Sequence, residues 1–186
     1  MSEIAEGWKG GSIRHPLPLI LPEDSMALEY ISVGSLFLTG LVNRARWNEL
    51  MSTDISLPEP YGILVIDLNG LKRVNDTLGH EAGDQMIFQL SCIMRNSLPR
   101  NSVICRWGGD EFTVLLTAVS RSKLDQYMES LFSASEKYNT EHPELPIHFA
   151  LGAALSSENP GIARTELFRL ADEEMYRNKQ QWYAHR

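Results

Sequence analysis

The sequence predicts an α/β domain in which a mixed sheet is covered by helices, and three observations carry that prediction. Residues 61–66 (Tyr-Gly-Ile-Leu-Val-Ile) are continuously apolar, as a central strand buried on both faces should be. Residues 103–107 and 111–116 are two β-type runs around Gly108-Gly109, a hairpin signal because both glycines accept positive φ. The segments between and after these strands carry apolar residues at spacings of three and four, the period of a helix with one face in the core. That order of elements, with at least one antiparallel pairing, is a sheet wrapped by helices.

The elements follow in order along the chain. Residues 1–24 contain Gly7, Gly10, Gly11, Pro16, Pro18 and Pro22 with little periodicity and read as an extended lead-in or linker. Residues 25–186 form the domain. The least polar stretch, 30–42, is interrupted by Ser32, Gly34, Ser35, Thr39 and Gly40 and reads as buried core or docking surface. Val42, Ala45, Trp47 and Leu50 fit a short helix over 42–52, and Pro58 and Pro60 punctuate the chain before the central strand, which ends in Asp67. Helices are expected over 71–78 and from about 83 to 98, the second carrying Met86, Ile87, Leu90, Ile93 and Met94 on one face. After the hairpin, Leu124, Tyr127, Met128, Leu131 and Phe132 mark a helix over 120–138. A strand over 147–155 and a helix over 165–182, with Leu167, Leu170, Ala171 and Met175 inward, complete the domain.

Composition narrows the function. At 186 residues the chain suits one domain. Seventeen Lys and Arg against 24 Asp and Glu leave a formal charge of −7, and no basic run offers a stripe for a nucleic acid polymer. No apolar stretch approaches the roughly 20 residues of a membrane-spanning helix, so membrane insertion is not expected. The N-terminus lacks the basic start and apolar run of a secretory signal, so secretion is not expected. Cys92 and Cys105 sit in apolar surroundings and read as small buried hydrophobes in a reducing compartment. The histidines at 15, 80, 142, 148 and 185 show no metal-ligand spacing, so zinc is not expected.

The acidic residues point to chemistry. Asp67 closes the buried strand and Asp110-Glu111 open the second arm of the hairpin; strands laid side by side would gather these carboxylates at one edge. Such a cluster repels itself unless a cation sits in it, and few hard oxygen ligands with room for water suit Mg²⁺ held jointly with a substrate's phosphates. On spacing alone, the reading in which each carboxylate merely caps a turn stands equally open.

The string Gly108-Gly109-Asp110-Glu111-Phe112, preceded by Arg106-Trp107, resembles the signature hairpin of the GGDEF family, the diguanylate cyclases. It stands with Leu38-Thr39-Gly40-Leu41-Val42-Asn43-Arg44, with residues 67–76 (Asp-Leu-Asn-Gly-Leu-Lys-Arg-Val-Asn-Asp), with Gly79-His80-Glu81-Ala82-Gly83-Asp84 and with residues 171–179 (Ala-Asp-Glu-Glu-Met-Tyr-Arg-Asn-Lys). These blocks match the family in order and spacing over about residues 30–183. The resemblance implies a central five-stranded, mainly antiparallel sheet wrapped by helices, similar in core to nucleotidyl cyclases and polymerase palms. It implies an enzyme that joins two GTP molecules into cyclic di-GMP with release of two pyrophosphates. Each subunit of a homodimer holds one GTP, and a ribose 3′-hydroxyl attacks the α-phosphate across the dimer with the help of two Mg²⁺ ions, for which Mn²⁺ is a substitute.

Carried over by position, the resemblance makes Asp67, Asp110 and the backbone carbonyl of Leu68 metal ligands. It puts Glu111 beside the attacking hydroxyl, assisting metal binding or accepting the proton. Asn75 and Asp84 would read guanine, whose N1 and exocyclic amino group are donors suited to a carboxylate. The backbone around Gly70, Leu71 and Lys72, at a helix start, would cradle the β- and γ-phosphates, with Lys72 and Lys179 adding positive charge. His80 would support its loop, and Arg106 would support the site from the base of the hairpin.

Three departures accompany the resemblance. Leu36 stands where the family has an Asp that partners an arginine such as Arg106. Tyr183 stands where the family commonly has a phosphate-binding Arg, removing a charge-assisted bond. Pro99 and Ser102 replace the inhibitory Arg-x-x-Asp, so no inhibitory product site is expected around Arg100. These departures leave a second reading, a catalytically weak GGDEF domain acting as a GTP-binding or protein-interaction module. The resemblance further implies an attached upstream sensor and a bacterial cytoplasmic location.

Overall fold

The computed structural model describes residues 41–52 and 55–184. The lead-in over 1–24, most of the apolar stretch 30–42, and Leu36 lie outside the described residues. The elements run α1 (Arg44–Met51), β1 (Gly62–Leu68), α2 (Leu71–Leu78), α3 (His80–Ser97), β2 (Val103–Gly108), β3 (Glu111–Leu116), α4 (Arg121–Glu141), β4 (Phe149–Leu155) and α5 (Arg164–Ala184), with a 3₁₀ turn at Ser156–Glu158 before α5. The strands form one sheet in the order β2-β3-β1-β4, every neighbouring pair antiparallel.

Among the described residues the sheet has four strands, not five. Beyond β2 there is a single parallel bridge, Val42 to Cys105. On its C-terminal side Asn43 caps α1 immediately afterwards, its side chain accepting from the Arg46 N–H.

β1 is buried along its whole length, and its alternation divides the core. Leu64, Ile66 and Leu68 pack with Phe112, Val114 and Leu116 of β3 against Leu90 and Met94 of α3 and Leu124 and Leu131 of α4. Ile63 and Val65 point the other way, with Leu115, Ala150 and Ala154, toward Trp47 of α1 and Leu167, Ala171 and Met175 of α5. Successive side chains on a strand alternate faces, so Asp67 falls on the α5 face. The same rule puts Glu111 there too, two steps beyond Thr113 and four beyond Leu115.

α5 is fixed on β4 by close backbone approach. A Cβ on Gly152 would lie 2.1 Å from the Ala171 carbonyl oxygen and 2.2 Å from the Met175 nitrogen. Beside that contact Glu174 accepts from the Ala153 N–H at 2.7 Å and Asn178 donates to the Leu151 carbonyl at 2.7 Å. These side chains bond the outer edge of β4, which among the described residues has no strand neighbour on that side.

Several boundaries differ from the sequence reading. α3 starts at His80, earlier than 83, because Gly79 at φ 88° both ends α2 and opens α3. β4 starts at Phe149, because α4 takes the hydrogen bonds of Ile147: Asn139 accepts from its N–H at 2.6 Å, and Asn139 and Ser135 donate to its carbonyl at 2.9 and 2.7 Å. The hairpin turn is Gly109-Asp110, with Gly108 the last residue of β2, because an irregularity between Arg106 and Gly108 pairs Gly108 with Glu111. Of the two glycines only Gly109 has positive φ, 50°. Cys105 is buried but Cys92 is only half-buried.

Gly152→Ala is expected to cost about 2–3 kcal/mol, because the added methyl meets backbone rather than a movable side chain. Denaturant unfolding measures it; an unchanged midpoint would show that α5 is not held by this approach.

Candidate active site

The centre of the site is Asp67, 3% exposed at the end of β1. Antiparallel register places it directly opposite Glu111, the first residue of β3, and opposed residues bring their Cβ atoms to about 5 Å. Asp110 occupies the turn just before, its carbonyl accepting from the Leu68 N–H at 2.9 Å. Sheet register thus gathers the three acidic positions that the sequence singled out, although no group of three among the described residues is drawn together as a ready-made metal cage.

Lys179 reaches this cluster from α5, its Nζ donating to Asp67 Oδ2 at 2.7 Å. The other oxygen, Oδ1, is buried and has no hydrogen-bond partner. Burial pushes the Asp67 carboxyl up, the Lys179 hydrogen bond pulls it back, and the Asp110 charge pushes it up again; the net shift is upward. For Lys179 burial works against the charge, but the hydrogen bond and charge of Asp67, with Asp110 beyond, hold the ammonium above its ordinary range. Glu111 is raised above 4.5, by burial first and then by the charges of Asp67, Asp110 and Asp172. Both carboxyls are raised because burial disfavours the charged form and neighbouring carboxylates add to it.

A cleft of about 610 Å³ opens over Asp67, Glu111 and Lys179, walled on the α5 side by Asp172, Met175, Tyr176 and Arg177. Arg177 and Tyr176 were not singled out from sequence. For Tyr176 the signal is helical spacing, since 172, 175, 176 and 179 recur at three and four along the helix that carries Lys179; Arg177 is outside that series.

The remaining candidates lie around α2 and α3 rather than in this cleft. Gly70, at φ 82°, precedes the first turn of α2, leaving the N–H groups of Leu71 and Lys72 without helical acceptors. Leu71 is buried, while Lys72 and His80 are exposed. Asn75 faces Gly83, where a Cβ would lie 1.9 Å from Asn75 Oδ1; the glycine makes room for the amide, and exposed Asp84 follows it. Helix packing therefore brings Asn75 against Gly83, the residue before Asp84. Asn69, not among the candidates, is buried with both amide atoms unpartnered.

Arg106 does not line the cleft. Its guanidinium donates through Nε and Nη2 to the Gly109 carbonyl at 3.1 and 2.9 Å, tying the hairpin turn to its own base. At the turn before β2, Ser102 donates through its backbone and its hydroxyl to the Pro99 carbonyl, at 2.9 and 2.6 Å, a closed turn without charged side chains at 99 and 102.

Comparison with known proteins gives a consistent result. The model of the diguanylate cyclase GGDEF domain matches residues 37–184. The probable diguanylate cyclase DgcT of Escherichia coli K12 is 33% identical over 149 residues, 77% of this chain and 33% of its own. The cyclic di-GMP phosphodiesterase PdeR of the same strain is 32% identical over 146 residues, 77% of this chain and 22% of its own. Among solved structures, a microbial GGDEF domain studied for its interaction with cyclic di-GMP is 32% identical with a TM-score of 0.65, covering 77% of this chain and 91% of that one. The chain spans about a third of the length of the first curated relatives it matches.

The raised Glu111 carboxyl gives a pH prediction. A carboxyl raised in the folded chain costs stability once it ionises, so Glu111→Gln is expected to raise the thermal midpoint of the metal-free protein at pH 8. The gain shrinks as pH falls and vanishes below about pH 4, where the group is protonated folded and unfolded alike. A gain that persists unchanged at pH 4 would assign it to another cause.

Proposed function

Because the chain belongs to the GGDEF family of diguanylate cyclases, we propose that it condenses two GTP molecules into cyclic di-GMP with release of two pyrophosphates. The observation that carries this reading is the buried, cation-deficient Asp67 facing Glu111 across the sheet, with Asp110 in the adjoining turn. The orphaned Asp67 Oδ1 fits a hard divalent cation. Asp67, Asp110 and the Leu68 carbonyl would hold Mg²⁺, and substrate phosphates would complete a set that the protein alone leaves short. When bound, two such ions would lower the pKa of the attacking hydroxyl and offset charge on the triphosphate.

The chain's own residues do the rest. The Leu71 and Lys72 N–H groups at the start of α2 donate to the β- and γ-phosphates, and Lys72 and Lys179 add charge. Asn75 and Asp84 select guanine, since adenine would leave the Asp84 carboxylate facing no N1 proton. Glu111, its carboxyl raised by burial and then by the neighbouring charges, would assist metal binding or take the proton of the attacking 3′-hydroxyl. Each chain offers one such nucleotide site, so ring closure requires a second copy placed head to head. Tyr183, exposed on α5, supplies no positive charge, which makes triphosphate affinity depend more heavily on Lys179. An upstream sensor setting the dimer geometry and a bacterial cytoplasmic setting, where GTP is available, belong to the same reading. Among the described residues no helix is long and apolar enough to cross a membrane.

Incubating the concentrated protein with GTP and Mg²⁺ and identifying products by mass tests the proposal. Cyclic di-GMP is expected from the wild type, and at least about 100-fold less from Asp110→Ala, a loss of the order seen when a stabilising group is removed from an active site. GTP bound without product, over a wide protein concentration range, would instead favour the regulatory module. Initial rates are expected to be indifferent to added cyclic di-GMP; inhibition with protection of residues 99–102 in hydrogen exchange would restore a product site there.

A further inference from the structure

Lys179 and a divalent cation have claims on the same oxygen atoms. Asp67 is 3% exposed, Lys179 Nζ sits 2.7 Å from its Oδ2, and Oδ1 has no partner. An ammonium and a dication sharing one carboxylate repel strongly at a few ångströms, even in a well-screened site. The body of α5 has no freedom to relieve that repulsion, because Gly152, Glu174 and Asn178 lock the helix to β4. The Lys179 side chain does: it is 28% exposed and borders the open cleft.

We propose that Lys179 is the internal counter-ion of the metal site, which must leave Asp67 before a divalent cation binds there. This rests on the reading of Asp67 as a metal ligand. Lys179 then has two alternative partners, Asp67 in the empty site and the nucleotide's phosphates in the filled one. Cation and triphosphate binding are thereby coupled: phosphate takes the ammonium that the cation displaces, and each ligand strengthens the other. The pair also lowers the cost of the buried Asp67 charge when neither ligand is present.

The test is Mn²⁺ titration of the nucleotide-free 186-residue chain, followed by electron paramagnetic resonance of the free ion, for wild type, Lys179→Met, Lys179→Arg and Asp67→Asn. Lys179→Met is expected to bind Mn²⁺ at least about tenfold more tightly, the scale of removing one nearby unit charge from a partly screened site. Lys179→Arg should gain nothing, and Asp67→Asn should lose the site. A non-hydrolysable GTP analogue should tighten Mn²⁺ binding much more in wild type than in Lys179→Met.

Equal or weaker Mn²⁺ binding by Lys179→Met, with the site still lost in Asp67→Asn, would overturn the counter-ion while leaving the metal reading intact. Unchanged binding by Asp67→Asn would overturn both. Because Lys179→Met leaves Asp67 unpaired and risks misfolding, a wild-type measurement runs alongside. Amine acetylation read by mass spectrometry should rise several-fold at Lys179, but not at Lys72, when Mn²⁺ saturates the site; unchanged Lys179 labelling at saturation contradicts the proposal.

Discussion

A carboxylate at the end of a strand buried on both faces is expensive to ionise, and the arrangement of the cleft follows from how that cost is met. β1 supplies the problem: a strand apolar from Gly62 to Ile66, then Asp67 on the α5 face with one oxygen unpartnered. β3 deepens it by placing Glu111 opposite and Asp110 alongside. A single ammonium from α5 meets it in part. Removing a charge's partner from such a site typically costs about 3–5 kcal/mol, whereas a well-made pair contributes little net stability. The proposed counter-ion role gives the pair a functional reason that its net stability does not.

The placement of that ammonium depends on contacts remote from the chemistry. Gly152 lets α5 approach β4 at backbone distance, and Glu174 and Asn178 fix the register of the helix against the strand. Arg106 holds the turn by the Gly109 carbonyl, and the Leu68 N–H holds Asp110 from below. Trp107 meets Phe168 of α5 in a tilted contact at 5.5 Å and lies under the Arg44 guanidinium of α1 at 4.4 Å, while Trp47 meets the same Phe168 at 6.2 Å. Hairpin, last helix and first helix thus share one aromatic joint.

Much of this was legible in the sequence because it rests on local rules. The continuous apolar run gave β1, the three-and-four spacings gave the helices, and strand alternation counted from Ile66 assigns Asp67 a face. What escaped depended on distant neighbours. The turn moved by one residue because of an irregularity at Arg106–Gly108, and β4 began late because Asn139 and Ser135 of α4 claim Ile147. The Lys179–Asp67 pair joins residues 112 positions apart, and nothing short of the docking register of α5 predicts it. Arg106, for which the sequence offers Leu36 in place of an acidic partner, was expected to support the site from the base of the hairpin; among the described residues its guanidinium holds the turn carbonyl of Gly109.

The most direct test of the central claim, that the site is a buried carboxylate awaiting a divalent cation, is anomalous diffraction from crystals grown with Mn²⁺ and a GTP analogue that cannot react. The account predicts a manganese peak bonded to the Asp67 carboxylate, with the Lys179 ammonium turned to a phosphate oxygen. Manganese bound elsewhere, with Lys179 still on Asp67, would contradict it.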